Sequence, residues 1–240
     1  MHIGFILDGN GRWAANKSLP RSIGHKRGAE NVEIILKECR ELGFSCVTMY
    51  AFSTENWSRP VFEVNALMRL FQYYLKKKLT LLYQENVKVM IIGDISPFPK
   101  VIRNYIKNLQ ELTKNNDGMV LNLALNYGGR AEIVRATKKI VRDFSEGLIN
   151  AEKIDEKLFS SYLYTNGQND PDLIIRTAGE KRLSNFLLWQ SAYSELYFVK
   201  KTWPDFTRRD LLDALKYFKS KKRTFGSIQS SEKSLTNQVI

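Results

Sequence analysis

The sequence predicts an α/β fold: a single domain in which a mostly parallel, six-stranded sheet is covered by helices. Three observations predict it. Short, contiguous β-rich apolar runs alternate along the chain with longer stretches whose apolar residues recur at helical spacing. The runs are apolar without alternation, as in strands with helices packed on both faces. Finally, 240 residues with 43% hydrophobic content suffice for one compact domain, which at this size buries roughly 70–75% of its unfolded surface.

The first strand is Gly4-Phe5-Ile6-Leu7, which stops at Asp8-Gly9-Asn10-Gly11-Arg12; Trp13 to Lys17 can then open a helix. From His25 to Leu42, the residues Ala29, Val32, Ile35, Leu36, Cys39 and Leu42 form one helical stripe, stopped by Gly43. Cys46 to Ala51 is the second strand and runs into the loop Phe52 to Pro60. A long helix from Val61 to Tyr83 carries Leu67, Leu70, Phe71, Tyr74, Leu75, Leu79 and Leu82 on one side, and Val87 to Ile92 is the third strand. Pro97 and Pro99 precede a helix that ends at the Asn115-Asn116-Asp117-Gly118 break. Met119 to Leu125 is the fourth strand, and a helix with Ile133, Val134, Ile140, Val141 and Phe144 follows it. Residues 147–171 are polar, with a short helical piece from Leu158 to Tyr162. Asp172 to Arg176 is the fifth strand, Thr177 to Asn185 its loop, and Glu195 to Val199 the sixth strand. Thr207-Arg208-Arg209-Asp210 reads as a capping box for a last helix through Phe218. The domain therefore spans residues 1–226, and the polar, aperiodic stretch 227–240 is expected to be a disordered tail.

The first turn carries the chemistry. Glycines let a backbone approach a phosphate closely, and the N–H groups that open the next helix favour an anion there. Asp8 would repel that anion unless a divalent cation lay between them, so the turn reads as a magnesium-plus-phosphate site. Competing readings are weaker. Asp-Gly and Asn-Gly are hairpin dipeptides, but the residues after Arg12 do not alternate. Gly9-x-Gly11-x-x-Ala14 matches a relaxed dinucleotide fingerprint, which would make an oxidoreductase, yet Glu30 and Glu33 fall in a helical pattern where the acid should end a strand. Trp13 stands where a calcium loop needs glycine.

In parallel sheets ligands bind beyond the carboxyl ends of the strands. Those ends bring Asp8, Asn10 and Arg12 from the first strand, and Ser53, Glu55, Asn56, Trp57 and Arg59 from the second. The fourth brings Asn126 and Arg130, and the fifth Arg176, Glu180, Arg182 and Ser184. Arginines converging on one rim suit several phosphates. The few acids, Asp8, Glu55, Glu180 and Glu195, suit magnesium held partly by substrate phosphates.

A net charge of +12 points to an anionic partner, but there is no helix-turn-helix, RNP or zinc pattern, so no nucleic acid is expected. Cys39 and Cys46 lack metal or CxxC spacing, which implies reduced thiols and a cytoplasmic setting. No apolar run is long enough to span a bilayer, and the first strand begins so near Met1 that no targeting peptide is expected.

The blocks Asp8 to Ala14, Arg21 with Gly24-His25-Lys26, Tyr50 to Pro60, Asn126 to Arg130, and Asp172 to Phe198 resemble the cis-prenyltransferase family over nearly the whole chain, and within it the bacterial undecaprenyl diphosphate synthases. One departure is Ala178 in Thr177-Ala178-Gly179-Glu180, where the family usually has two glycines; a mild effect is expected. The resemblance implies Mg2+-dependent condensation of isopentenyl diphosphate with an allylic diphosphate such as farnesyl diphosphate, each new double bond cis. It implies that Gly11, Arg12, Arg21 and His25 grip the allylic diphosphate, with Gly9 and Trp13 beside them in the substrate site, Trp13 by packing. Arg176, Arg182 and Ser184 would hold isopentenyl diphosphate, and Asp8 with Glu195 the metal. Asp8, Asn10 and Asn56 would be catalytic, with Ser53, Glu55, Trp57 and Arg59 binding substrate from one mobile loop.

A growing tail needs an apolar tunnel, expected between the 61–83 helix and the sheet and touched by Ala51, Leu67, Phe71 and Met119. Ordinary core packing would give the same spacing. The family also implies a homodimer and peripheral contact with the inner membrane face for product release. A non-catalytic subunit that supports a catalytic partner is the rival reading; Asp8, Asn10 and Arg12 are intact here.

Overall fold

The computed structural model describes residues 1–221, without the side chains of residues 78–80, so the expectations for Leu79 and for the tail at 227–240 lie outside the described residues. The strands are β1 (His2–Ile6), β2 (Cys46–Ser53), β3 (Lys88–Ile92), β4 (Val120–Tyr127), β5 (Leu173–Arg176) and β6 (Glu195–Phe198). The helices are α1 (Asn10–Ala15), α2 (Arg21–Glu41), α3 (Val61–Gln84), α4 (Lys100–Thr113), α5 (Gly129–Ser145), α6 (Glu156–Ser161) and α7 (Arg208–Lys219). The sheet is parallel at every pairing, in the order β3-β4-β2-β1-β5-β6.

That order locates the site. The chain leaves β1 towards β2 on one side and later crosses to β5 on the other, so the connections diverge at the carboxyl ends of β1 and β5. Such a reversal opens a crevice for ligand. Asp8 follows β1, and Arg176 ends β5, paired with Ile6.

Two helix starts come earlier than the apolar pattern suggests. Gly9 is the N-cap of α1 with φ 99°, so Gly11 lies inside the helix rather than in a turn. α2 begins at Arg21, directly after Pro20, because its polar first turn adds nothing to the apolar stripe. The two helices touch backbone to backbone: a Cβ at Gly24 would stand 2.0 Å from the Asn10 carbonyl oxygen, and one at Gly28 2.3 Å from Asn10 Oδ1. The capping box of α7 forms as expected between Thr207 and Asp210.

One face of the sheet packs Ile3, Phe5, Val47, Met49 and Leu121 against the helices and Trp203. Within it, between α2, α3 and the strands, lies an apolar cavity of about 410 Å³, within the usual range for ligand sites. Ala51, Leu67 and Phe71 line it as expected, but Met119 does not. Met119 precedes β4 at the amino end of the sheet, where its carbonyl accepts from Lys88 N–H; Leu121 takes the lining position.

On the other face, the buried His2 bonds the Asn169 carbonyl and Thr48 Oγ1, each at 2.7 Å. A carbonyl can only accept, so Nδ1 carries the proton. Burial holds the His2 pKa below its ordinary value, the hydrogen bond to Asn169 only partly offsetting it.

Candidate active site

At the β1–β5 crevice, Arg176 is almost fully buried. Its Nη2 meets Asp8 Oδ2 at 2.9 Å, and its Nη1 donates to Ser184 Oγ at 2.7 Å and to the Arg182 carbonyl. Asp8 is about a third exposed and also lies 3.6 Å from Arg12 Nη2, while Gly9 N–H donates to its Oδ1 at 2.7 Å. The Asp8 carbonyl accepts from Trp203 N–H and Thr177 Oγ1, so the turn is fixed through backbone as well as side chain. Arg12 donates to the Ala178 carbonyl at 2.9 Å and reaches Glu180 at 3.2 Å; Arg182 pairs with Glu180 at 2.6 Å. Asp8, Arg12, Arg176, Glu180, Arg182 and Ser184 therefore form one charged cluster.

A second cluster adjoins it. Arg21 Nε, His25 Nε2 and Arg59 Nη1 all lie within 3.4 Å of the carboxylate of Glu63, whose side chain is only 5% exposed. Sequence reasoning missed Glu63. It sits in the first turn of α3, right after Pro60, and looks like an ordinary acid favouring a helix N-terminus. Its burial follows from how α2 packs on α3, which no local pattern reveals. Burial lowers the His25 pKa, with the hydrogen bond to Glu63 opposing it. The Arg21 guanidinium lies over Gly11, where a Cβ would come within 3.0 Å of its Nη2.

The segment after β2 forms a 3₁₀ turn, Thr54–Ser58, closed by a capping box. Asn56 Oδ1 accepts from Ser53 N–H at 3.1 Å, and Glu55 accepts from Asn185 at 2.8 Å. Trp57 packs on Phe52 and Phe98 and donates to Asn126 Oδ1 at 2.8 Å. The Trp13 indole N–H goes to Asp205 at 2.8 Å, so this side chain packs α1 onto the 203–205 turn.

Glu195 does not join Asp8 within one chain. The β5–β6 register pairs it with Leu173, while Arg176 pairs with Phe198; three residues of strand place Glu195 roughly 10 Å back from the carboxyl rim. Among the described residues no group of three or more His, Cys, Asp or Glu could hold a metal by itself. Beside Arg176 the rim offers Asp8 and Glu180, a donor set suited to a hard cation that takes its other oxygens from substrate and water.

The rim adjoins the apolar cavity, for Asn10 and His25 are among the residues that line it, together with Leu7. Asn10 Oδ1 is buried without a hydrogen-bond partner among the described residues. Residues 6–226 match the family described as "Putative undecaprenyl diphosphate synthase". The chain belongs to this prenyltransferase family. An isoprenyl transferase of Clostridium tetani is 51% identical over 227 residues, covering 95% of this chain and 89% of the relative. The ditrans,polycis-undecaprenyl-diphosphate synthase ((2E,6E)-farnesyl-diphosphate specific) of Buchnera aphidicola is 47% identical, covering 96% and 92%. Among solved structures, lavandulyl diphosphate synthase from Lavandula x intermedia in complex with dimethylallyl diphosphate superposes with TM-score 0.91 at 38% identity, covering 94% of this chain and 98% of the other. A probable undecaprenyl diphosphate synthase from Campylobacter jejuni gives TM-score 0.78 at 32% identity, with the same coverage. The protein is thus a prenyl transferase, a cis-prenyl diphosphate synthase of the undecaprenyl diphosphate synthase family.

Proposed function

We propose that residues 1–226 extend an allylic diphosphate, farnesyl diphosphate in the first instance, by repeated cis condensation with isopentenyl diphosphate to a long polyprenyl diphosphate. The observation that supports it is the continuity of a cationic rim with an apolar cavity through Asn10 and His25: one end of the site suits diphosphates and the other a hydrocarbon tail.

The allylic diphosphate lies over the first turn of α1, whose N–H groups have no acceptor within the helix. Gly11 gives it room, and Arg12, Arg21 and His25 contact it; the tail passes Asn10 into the cavity. Isopentenyl diphosphate lies against Arg176, Arg182 and Ser184. Asp8 stands between the two groups, and Asp8 with Glu180 would hold magnesium. Bound there, the cation would supply charge neutralisation between two polyanions and stabilise the leaving diphosphate. The arginines stabilise the negative charge that develops as the allylic C–O bond breaks. The isopentenyl double bond forms the new bond to the allylic carbon as diphosphate leaves, and its C2 then loses a proton to an oxygen of a bound diphosphate. Asn10, Ser53 and Asn56 orient that step.

The resemblance also supports a homodimer working in the cytoplasm, with peripheral membrane contact for product release. The decisive assay incubates purified protein with farnesyl diphosphate, radiolabelled isopentenyl diphosphate and magnesium, beside Asp8→Ala. Long labelled polyprenyl products from the wild type alone are expected. Absence of extension, or equal extension by Asp8→Ala, would overturn the proposal.

A further inference from the structure

We infer that the outer groove between α2 and α3 is the face on which the protein rests against an anionic lipid surface. The inference deepens the reading above in one respect, since a product with a long isoprenoid tail has to reach a bilayer. The groove encloses about 450 Å³ and is lined by Ile23, Lys26, Ala66, Arg69 and Tyr73, among others. It is apolar and cationic together. Ile23 is 41% and Tyr73 52% exposed, and Phe62, 72% exposed, continues the same stripe of α3 because positions 62, 66, 69 and 73 share one helical face. Lys26 and Arg69 are exposed, and neither has an ion-pair partner among the described residues.

The groove is also the thin wall of the inner cavity. His25, Leu70 and Tyr74 line both spaces, so one layer of side chains separates the proposed tail tunnel from the outer surface. A lipid surface at the groove would therefore lie directly against the compartment that holds the hydrocarbon. Tyrosine with lysine and arginine is the residue set that settles at a headgroup layer, and each cation there attracts acidic lipid. Among the described residues no helix is long and apolar enough to cross a membrane, so the contact is peripheral. A second copy docked groove to groove would press Lys26 and Arg69 against like charges; acidic headgroups complement them.

Flotation with phosphatidylglycerol–phosphatidylcholine vesicles tests this, against pure phosphatidylcholine. The wild type should float with the acidic vesicles, and much less at high salt. The double variant K26E/R69E should lose roughly thirtyfold or more in partitioning, while K138E/K139E, the same charge change on the exposed face of α5, should lose far less. In detergent, K26E/R69E should elongate farnesyl diphosphate as the wild type does. The inference is overturned if the wild type ignores acidic vesicles, if both double variants lose binding equally, or if K26E/R69E still binds. It is likewise overturned if the groove residues prove to govern dimer mass in sedimentation while vesicles are not bound. Should K26E/R69E fail to fold by circular dichroism, K26Q/R69Q replaces it, and undiminished binding by that variant overturns the inference. Vesicle binding that maps to the groove without any prenyl transfer would fell the functional reading and leave the docking face standing.

Discussion

The two halves of the rim are built on opposite plans. Around α1, α2 and α3, one buried carboxylate, Glu63, gathers two more exposed cations, Arg21 and Arg59, together with the imidazole of His25. Around β5, one buried guanidinium, Arg176, gathers the more exposed Asp8 together with Ser184. The first half stands on helices. The second hangs on a loop with several residues at positive φ, Ala178 at 70°, Ser184 at 48° and Asn185 at 65°. A buried acid among cations leaves a surplus of positive charge facing outward, which suits a diphosphate bound directly. A buried cation that holds an acid outward suits a diphosphate that brings a metal with it.

The largest effect should come from breaking the second plan at its centre. Arg176→Ala leaves Asp8, Ser184 and the 182 carbonyl without their shared donor, so activity should fall by about 10³ and stability by about 3 kcal/mol, read by steady-state assay and denaturant titration. Near-normal activity would show that the buried guanidinium does not organise this half.

Next comes Glu63→Gln. Each arginine and the imidazole spend one nitrogen on Glu63 and keep another for ligand, so losing the carboxylate disorders three groups at once. The KM for the allylic diphosphate should rise about tenfold, with kcat and the KM for isopentenyl diphosphate within about twofold; Glu63→Asp should recover part of the loss. An equal rise in both KM values would erase the distinction between the halves.

A histidine sits only in the helical cluster, so pH should act unequally on the two. His25 is held neutral by burial, its pKa below the ordinary 6.5, and the folded protein thus binds fewer protons than the unfolded chain below that pH. Stability is then fully present above about 6.5 and is lost as pH falls towards the lowered folded value. Melting temperature should drop between pH 7.5 and 5.5, and His25→Gln should flatten part of that slope; His2 contributes with the same sign. A melting temperature that rises on acidification contradicts both assignments.

The smallest effect belongs to the strained loop. Ala178→Gly relieves a left-handed backbone and should stabilise by roughly 0.5–1 kcal/mol, a rise of a few degrees in melting temperature with activity kept. A fall would mean that the loop carries no strain at that residue.

Much of this was legible in the sequence because it is local. The β1 run ending in Asp8-Gly9-Asn10-Gly11-Arg12, and the arginines that follow other strands, needed only the rule that parallel sheets bind ligands at their carboxyl ends. What was illegible depends on how elements meet. Glu63 looks like any first-turn acid until α2 covers it. Glu195 looked like a rim residue because β6 was recognised as a strand while its register against β5 was unknown; a three-residue offset along the sheet moves it out of reach. Met119 failed for the same reason, one position short of β4. The residues Leu67 and Phe71 were right for the cavity, yet their spacing would have been identical in a solid core.

The account turns on two separate anion half-sites that meet at Asp8. Equilibrium binding of a non-reactive allylic thiolodiphosphate, and separately of isopentenyl diphosphate, to wild type, Arg21→Ala and Arg182→Ala tests this most directly. Arg21→Ala should weaken the allylic analogue by about tenfold or more and leave isopentenyl diphosphate within about twofold, with the pattern reversed for Arg182→Ala. Equal losses for both ligands in both variants would contradict it.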